Sequence, residues 1–245
     1  FNSKFTIFSK FASILDMKNK KSLRNSLRIS FISLFAATIC VGCFIKIPLG
    51  PVPIVLQNVL CILCAVLLGG FWGSIPTVLF LFAGLVGIPV YSGGTAGVAV
   101  WAGPTGGFLG GYFLGAFVAS LIAGKPSIKE KKISKKTTLR VSLAIFVGMI
   151  LLYVPGVIHF VIWATKAGRV PPEKTAFSYT MASCVLPFLP GDAIKIVVAI
   201  PVALKVRPIL AQYLYAENSN NNTQDNNGIQ GIDFDDNNSE SKQDI

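Results

Sequence analysis

Long apolar runs separated by short clusters of glycine, proline or basic residues set the pattern of this chain. The first run extends from about Leu27 to Ile47, enough to cross a hydrocarbon core roughly 30 Å thick, and stops at Pro48, Pro51 and Pro53. Two shorter runs, from about Val55 to Leu68 and from about Ser74 to Ile88, flank Gly69-Gly70-Phe71-Trp72-Gly73, a connection short enough to force an antiparallel hairpin. A fourth runs from about Gly107 to Gly124. The fifth, from about Leu139 to Thr165, has an expected kink at Pro155-Gly156, and the sixth runs from about Gly191 to Leu210. The pattern predicts an all-α membrane protein with six transmembrane helices.

Charge placement strengthens this reading. Of 245 residues 52% are hydrophobic and 13% charged, and between Ile29 and Gly124 the only ionised side chain is Lys46. A water-facing surface cannot be built from such a segment. The net charge of +11 is concentrated beside apolar runs rather than interleaved with aromatics on a polar domain, which argues for membrane topology and against nucleic acid. Lys18, Lys20, Lys21, Arg24 and Arg28 precede the first span, and Lys125, Lys129, Lys131, Lys132, Lys135, Lys136 and Arg140 fill the connection between the fourth and fifth. Both segments are expected to be cytoplasmic, as are both termini; a five-span arrangement would strand Lys205 and Arg207 outside.

The chain divides into a basic N-terminal segment, 1–26, a six-helix substrate-binding domain, 27–212, and a tail, 213–245, whose Asn, Asp and Ser content predicts disorder. Residues 1–16 carry Phe1, Phe5, Phe8 and Phe11 among lysines and serines, the composition of an interfacial helix, with Met17 as a natural start and a targeting peptide as the alternative.

Several motifs ask for a chemical reading. Cys40/Cys43 and Cys61/Cys64 have zinc-like spacing, but inside apolar runs cysteine acts as a small hydrophobe, so no metal site is expected. Gly107, Gly111 and Gly115 let another backbone approach closely. Ionisable groups at membrane depth are costly and demand a reason. Asp192 and Lys195 are the two that clearly qualify, three apart on one face at the outer start of the sixth span. They could neutralise each other and pin the helix, or bind a polar small molecule beneath the Pro48 to Pro53 and Tyr91 to Gly107 loops. Gln57 could serve a ligand or a neighbouring helix, and Thr105 likewise. Tyr91, Trp101, Phe108 and Tyr112 could form apolar pocket walls or an interfacial belt. The lone His159 reads as interfacial, with a ligand role as the alternative. No Gly-x-Ser-x-Gly elbow, His-Glu-x-x-His or Walker A sequence is present, so no enzyme is expected, and energy for transport would have to come from a gradient or a separate ATPase.

Four segments in this order, Phe44-Ile-Lys-Ile-Pro-Leu-Gly-Pro-Val-Pro-Ile-Val-Leu-Gln57, Gly87-Ile-Pro-Val-Tyr91, Gly103-Pro-Thr-Gly-Gly107 and Phe188-Leu-Pro-Gly-Asp-Ala-Ile-Lys195, resemble the BioY family, biotin-binding S components of energy-coupling factor (ECF) transporters. The resemblance covers about Arg28 to Leu210. It implies a six-helix S component in the cytoplasmic membrane, with outward loops closing over biotin as transported ligand. Asp192 would accept from the ureido N–H groups, and Lys195 would meet either the ureido carbonyl or the valerate carboxylate. It further implies a transmembrane T component and two ATPases as partners, coupled through small residues on the first helix. Here those are Ala36 and Cys40, the latter standing where the family has alanine.

Overall fold

A computed structural model describes residues 2–47, 54–128 and 134–215, with side chains before Ser22 outside the description. The expected proline loop at Pro48, Pro51 and Pro53, the lysines at 129, 131 and 132 and the tail from Glu217 lie outside the described residues.

Among the described residues eight α-helices form the bundle: α1 (Asn2–Val41), α2 (Gln57–Leu68), α3 (Ile75–Leu85), α4 (Val98–Ala102), α5 (Gly106–Ala123), α6 (Lys135–Lys166), α7 (Ala176–Cys184) and α8 (Leu189–Tyr215). Three stretches, Ser22–Phe44, Gly106–Ala123 and Lys135–Lys166, are long and apolar enough to cross a membrane, while α2 and α3 are apolar but have only 12 and 11 residues. The 27-residue α8 is long enough but carries Asp192, Lys195, Lys205 and Arg207.

The outer surface is that of a protein made for lipid. On α6, Leu139, Leu143, Phe146, Ile150, Val154, Ile158 and Ile162 are all exposed, a stripe at three- and four-residue spacing along the whole helix. On α8, Ile194, Val197, Val198, Val202 and Ile209 are exposed as well. In water such faces would drive association; in a bilayer they are the solvated side.

The first helix differs from its expected course. It is continuous from Asn2 and ends at Val41, six residues short of the expected limit, followed by a 3-10 turn at Gly42–Phe44. The backbone then enters a two-rung antiparallel ladder in which Lys46 faces Val55 and Ile47 faces Ile54. Ile32, Ala36, Ile39 and Cys43 fall on one helical stripe and are buried against the bundle. Ala36 therefore packs inward, and Cys40 is half-buried against the core. The family resemblance implies a partner-facing role for both; Ala36 faces the bundle here and Cys40 keeps part of its surface exposed. Small residues that face outward on this helix include Ser26, Ser30, Ser33 and Ala37. The Ser30 hydroxyl donates to the Ser26 carbonyl at 3.0 Å, so this face carries no unsatisfied donor there.

Glycine spacing on α5 explains the closest helix pair. A Cβ at Gly107, Gly111 or Gly115 would fall 2.4 Å from the Pro155 carbonyl oxygen, 2.2 Å from that of Leu152 and 2.4 Å from that of Gly148, all on α6. The four-residue repeat thus lays one backbone on the other. Gly110 has nothing within 4 Å. Gly111→Ala should lower the thermal unfolding midpoint of the detergent-solubilised protein, at a cost of about 1–3 kcal/mol. Gly110→Ala should leave it unchanged or slightly raised, since alanine favours the helix, and an equal fall in both variants would show that close approach is not what Gly111 provides.

At the end of the bundle remote from Asp192, α2 and α5 terminate side by side. Gly69 and Gly124 each have φ 61°, and a Cβ on Gly69 would lie 1.9 Å from the Gly124 oxygen. The Gly70 N–H donates to the Ser120 carbonyl at 2.8 Å. Arg207 reaches this junction from α8, fully buried, donating through Nη1 to the Val66 carbonyl and through Nη2 to those of Ala123 at 3.0 Å and Gly124 at 3.2 Å. Carbonyls at helix ends lack intrahelical donors and carry the negative end of the dipole, so a forked cation serves both helices at once. The Arg28 guanidinium lies 5.3 Å from the Trp72 ring centroid and 5.8 Å from that of Tyr215.

Candidate functional site

Polar side chains from three helices meet at the start of α8. Asp192 and Lys195, in its first two turns, form an ion pair at 2.8 Å. Asp192 is buried; its Oδ1 accepts from Lys195 and, at 3.0 Å, from the Asn58 amide of α2, and its Oδ2 accepts from the Tyr153 hydroxyl of α6 at 2.5 Å. An ammonium has three donors, and Lys195 uses them on Asp192, on Asn58 Oδ1 at 3.1 Å and on the Val55 carbonyl at 2.7 Å. The Asn58 amide is therefore oriented from both sides, donating to the acid and accepting from the base. One negative and one positive charge cancel locally, so the cluster suits a neutral group rich in donors and acceptors better than an ion.

This cluster lines a cavity of about 400 Å³. Phe108 and Tyr112 of α5, Leu152 of α6 and Phe188 form apolar walls. The segment joining α3 to α5 forms the cover, contributing Tyr91, Ser92, Thr95 and Gly103 to Thr105. Apolar walls with a few convergent polar groups are the ordinary makeup of a small-molecule site. Among the described residues no cluster of His, Cys, Asp or Glu fits a metal ion, and the five cysteines are free thiols.

Gln57, Tyr91, Thr105, Phe108 and Tyr112, expected from sequence, all line this cavity with Asp192 and Lys195, but Trp101 does not. Its indole N–H donates to the Tyr91 hydroxyl at 2.9 Å, which in turn donates to the Leu81 carbonyl at 2.6 Å. Trp101 thus fixes a wall residue rather than forming a wall. Tyr91 is held from below too: a Cβ on Gly84 would lie 2.1 Å from its ring, so glycine there makes room for it. Burial pushes the Tyr91 hydroxyl above the ordinary phenol range, opposed by the Trp101 hydrogen bond. Gln57 combines both readings left open for it. It lines the cavity while its amide donates to the Ile39 carbonyl at 3.2 Å and the Val90 carbonyl at 2.7 Å, tying α1 and the cover to α2. His159 Nε2 lies 2.9 Å from the Gly103 carbonyl and anchors the far side of the cover.

Asn58 and Tyr153 are functional candidates that sequence reasoning passed over. Asn58 had a usable signal, a second amide beside Gln57 at the mouth of an apolar run. Tyr153 had none, since a tyrosine in a long apolar helix has the appearance of a belt residue.

The description "BioY family" belongs to the family model that matches residues 17–212. The biotin transporter BioY of Rhodobacter capsulatus is 34% identical over 76% of this chain and 93% of its own length. That of Thermotoga maritima is 35% identical over 72% of this chain and 93% of its own, and that of Rhizobium etli 36% identical over 74% and 91%. A crystal structure of the S-component for biotin from an ECF-type ABC transporter superposes with a TM-score of 0.58 at 25% identity, covering 75% of this chain and 92% of the other. The shared bundle and the extent of these matches make this chain a member of the BioY family.

Proposed function

We propose that this protein binds biotin from outside the cytoplasmic membrane and delivers it inward as the substrate-specificity subunit of an ECF-type ABC transporter. The observation that carries the reading is the neutral, fully hydrogen-bonded cluster of Asp192, Lys195, Asn58 and Tyr153 at the polar side of an otherwise apolar cavity. A ureido ring offers two N–H donors and one carbonyl acceptor. Binding exchanges internal hydrogen bonds of the cluster for bonds to the ligand: Asp192 and Asn58 Oδ1 accept from the N–H groups and the Asn58 amide or the Lys195 ammonium donates to the carbonyl, while Phe108, Tyr112 and Phe188 cover the apolar remainder of the ligand.

The accompanying topology has six crossings and both termini in the cytoplasm, with α2 and α3 as short spans sheltered by their neighbours. The basic residues Arg24, Arg28, Lys125, Lys135 and Lys136 mark the inner side, and the cavity opens outward. The driving force comes from two ATPases acting through a transmembrane T component. That component packs on the outward face of α1 at Ser30, Ser33 and Ala37, small enough for close helix approach.

Calorimetric titration of the purified protein should give saturable one-to-one binding of biotin, with thiamine and riboflavin producing no heat at equal concentration. A preference for either of those vitamins would replace biotin as the substrate, and no binding of any of the three would favour a scaffold without ligand.

A further inference from the structure

The end of the bundle opposite the cavity holds a cation whose hydrogen bonding is incomplete. Arg28 of α1 is half-buried, its guanidinium held between the rings of Trp72 and Tyr215. Its Nε is enclosed without a hydrogen-bond partner, and among the described residues no acceptor reaches its two Nη groups, which keep accessible surface. A guanidinium is a fixed fork of five N–H donors, so the Nη groups present four of them from a rigid mount. No described carboxylate answers them. The acidic side chains within the description are Glu173, in the connection after α6, and Asp192, in the cavity.

A second cation and an apolar strip meet the same corner. Trp72 belongs to the 3-10 turn Phe71–Ser74, and a Cβ on the preceding Gly70 would lie 3.4 Å from Cγ of Lys125, which is exposed. Arg28 and Lys125 thus flank one turn. Phe71 of that turn meets Phe117 of α5 edge-on at 6.4 Å, and Phe117 stacks on Phe113 at 5.9 Å. Phe71 and Phe113 are both exposed, and one helical turn before Phe113 a Cβ on Gly110 would meet open space. Aromatic surface therefore leads from the two cations toward the middle of the bundle's outer face.

We infer that this corner binds one anionic phospholipid, its phosphate on the Arg28 Nη groups with Lys125 beside it and an acyl chain along Phe71, Phe117 and Phe113. Planar guanidinium suits a phosphate oxygen pair, and neighbouring lysine favours a headgroup with net negative charge. A zwitterionic headgroup fits less well, because its ammonium faces the same two cations. The site is separate from the cavity and does not depend on what the cavity carries.

The test is native mass spectrometry of the full-length, delipidated protein released from detergent, titrated with phosphatidylglycerol and with phosphatidylcholine of the same acyl chains. One phosphatidylglycerol should bind about tenfold more tightly than phosphatidylcholine. Arg28→Gln should weaken phosphatidylglycerol about tenfold and Lys125→Gln about fivefold, with phosphatidylcholine changed by less than about twofold in either. Thermal unfolding without lipid checks the fold of each variant, and biotin titration should stay within about twofold of wild type, since neither residue lines the cavity. Equal affinity for the two lipids would overturn the site. So would an Arg28→Gln variant that lowers the lipid-free midpoint but changes phosphatidylglycerol binding by less than about twofold, since Arg28 would then only clamp the two rings. Displacement of the lipid by equimolar glycerol phosphate would overturn it as well, by reducing the corner to a pocket for free phosphate. Wild-type protein that binds phosphatidylglycerol selectively but no biotin would sustain this site while refuting the transport reading.

Discussion

Asp192→Ala should lower biotin affinity by roughly 100-fold or more, as expected when one member of a buried, hydrogen-bonded charge pair is truncated. Three donors converge on this carboxylate, from Lys195, Asn58 and Tyr153, so its removal disorders the whole polar side of the cavity. Lys195→Met should behave similarly for binding but cost more stability, because it leaves a buried carboxylate without its counter-ion. The double variant Asp192→Leu with Lys195→Met distinguishes a ligand site from a mere helix pin. If the pair only held α8 in place, replacing both charges by apolar groups would recover stability and binding together. The expected outcome is recovery of the unfolding midpoint with no recovery of biotin binding. Undiminished affinity in Asp192→Ala would remove this cluster from the site.

The second large effect is expected far from the cavity. Arg207→Met should destabilise the protein by about 3 kcal/mol or more, read as a marked fall in the thermal midpoint in detergent. Its guanidinium satisfies carbonyls at the ends of both α2 and α5, and methionine fills similar space with no donor. Lysine should not rescue the loss, because a single ammonium cannot fork across two helix ends as the planar guanidinium does. An Arg207→Lys protein as stable as wild type would show that charge alone, rather than the fork, is what the junction requires.

Arg207 also shows where sequence reading stops. Counted as a basic residue near the end of the last span, it served as a topological marker; its burial makes it a piece of the interior. Hydropathy and charge placed most of the principal helices, and the glycine repeat on α5 correctly announced a close backbone contact. Apolar composition could not distinguish helix from strand between Gly42 and Val55, where the chain leaves α1 early to form a ladder. It also missed α7, a nine-residue helix, whose Thr175 cap accepts from the Ser178 N–H at 3.2 Å. Within the site, Asp192 and Lys195 stood out because charge at membrane depth is rare. Asn58 and Tyr153 did not, since their importance comes from convergence of α2 and α6 on α8, a tertiary fact with no local signature. The directions that Trp101 and Ala36 take depend on helix rotation, which residue spacing alone does not give.

The cancellation of charge between Asp192 and Lys195 has an electrical consequence. A unit charge moved across the full transmembrane voltage exchanges about 2.3 kcal/mol per 100 mV, but this pair contributes no net charge of its own to any reorientation of the cavity. If a monoanionic vitamin is the cargo, the voltage sensitivity contributed by the loaded cavity is set by the cargo's own ionised group, and an uncharged analogue should make that contribution vanish.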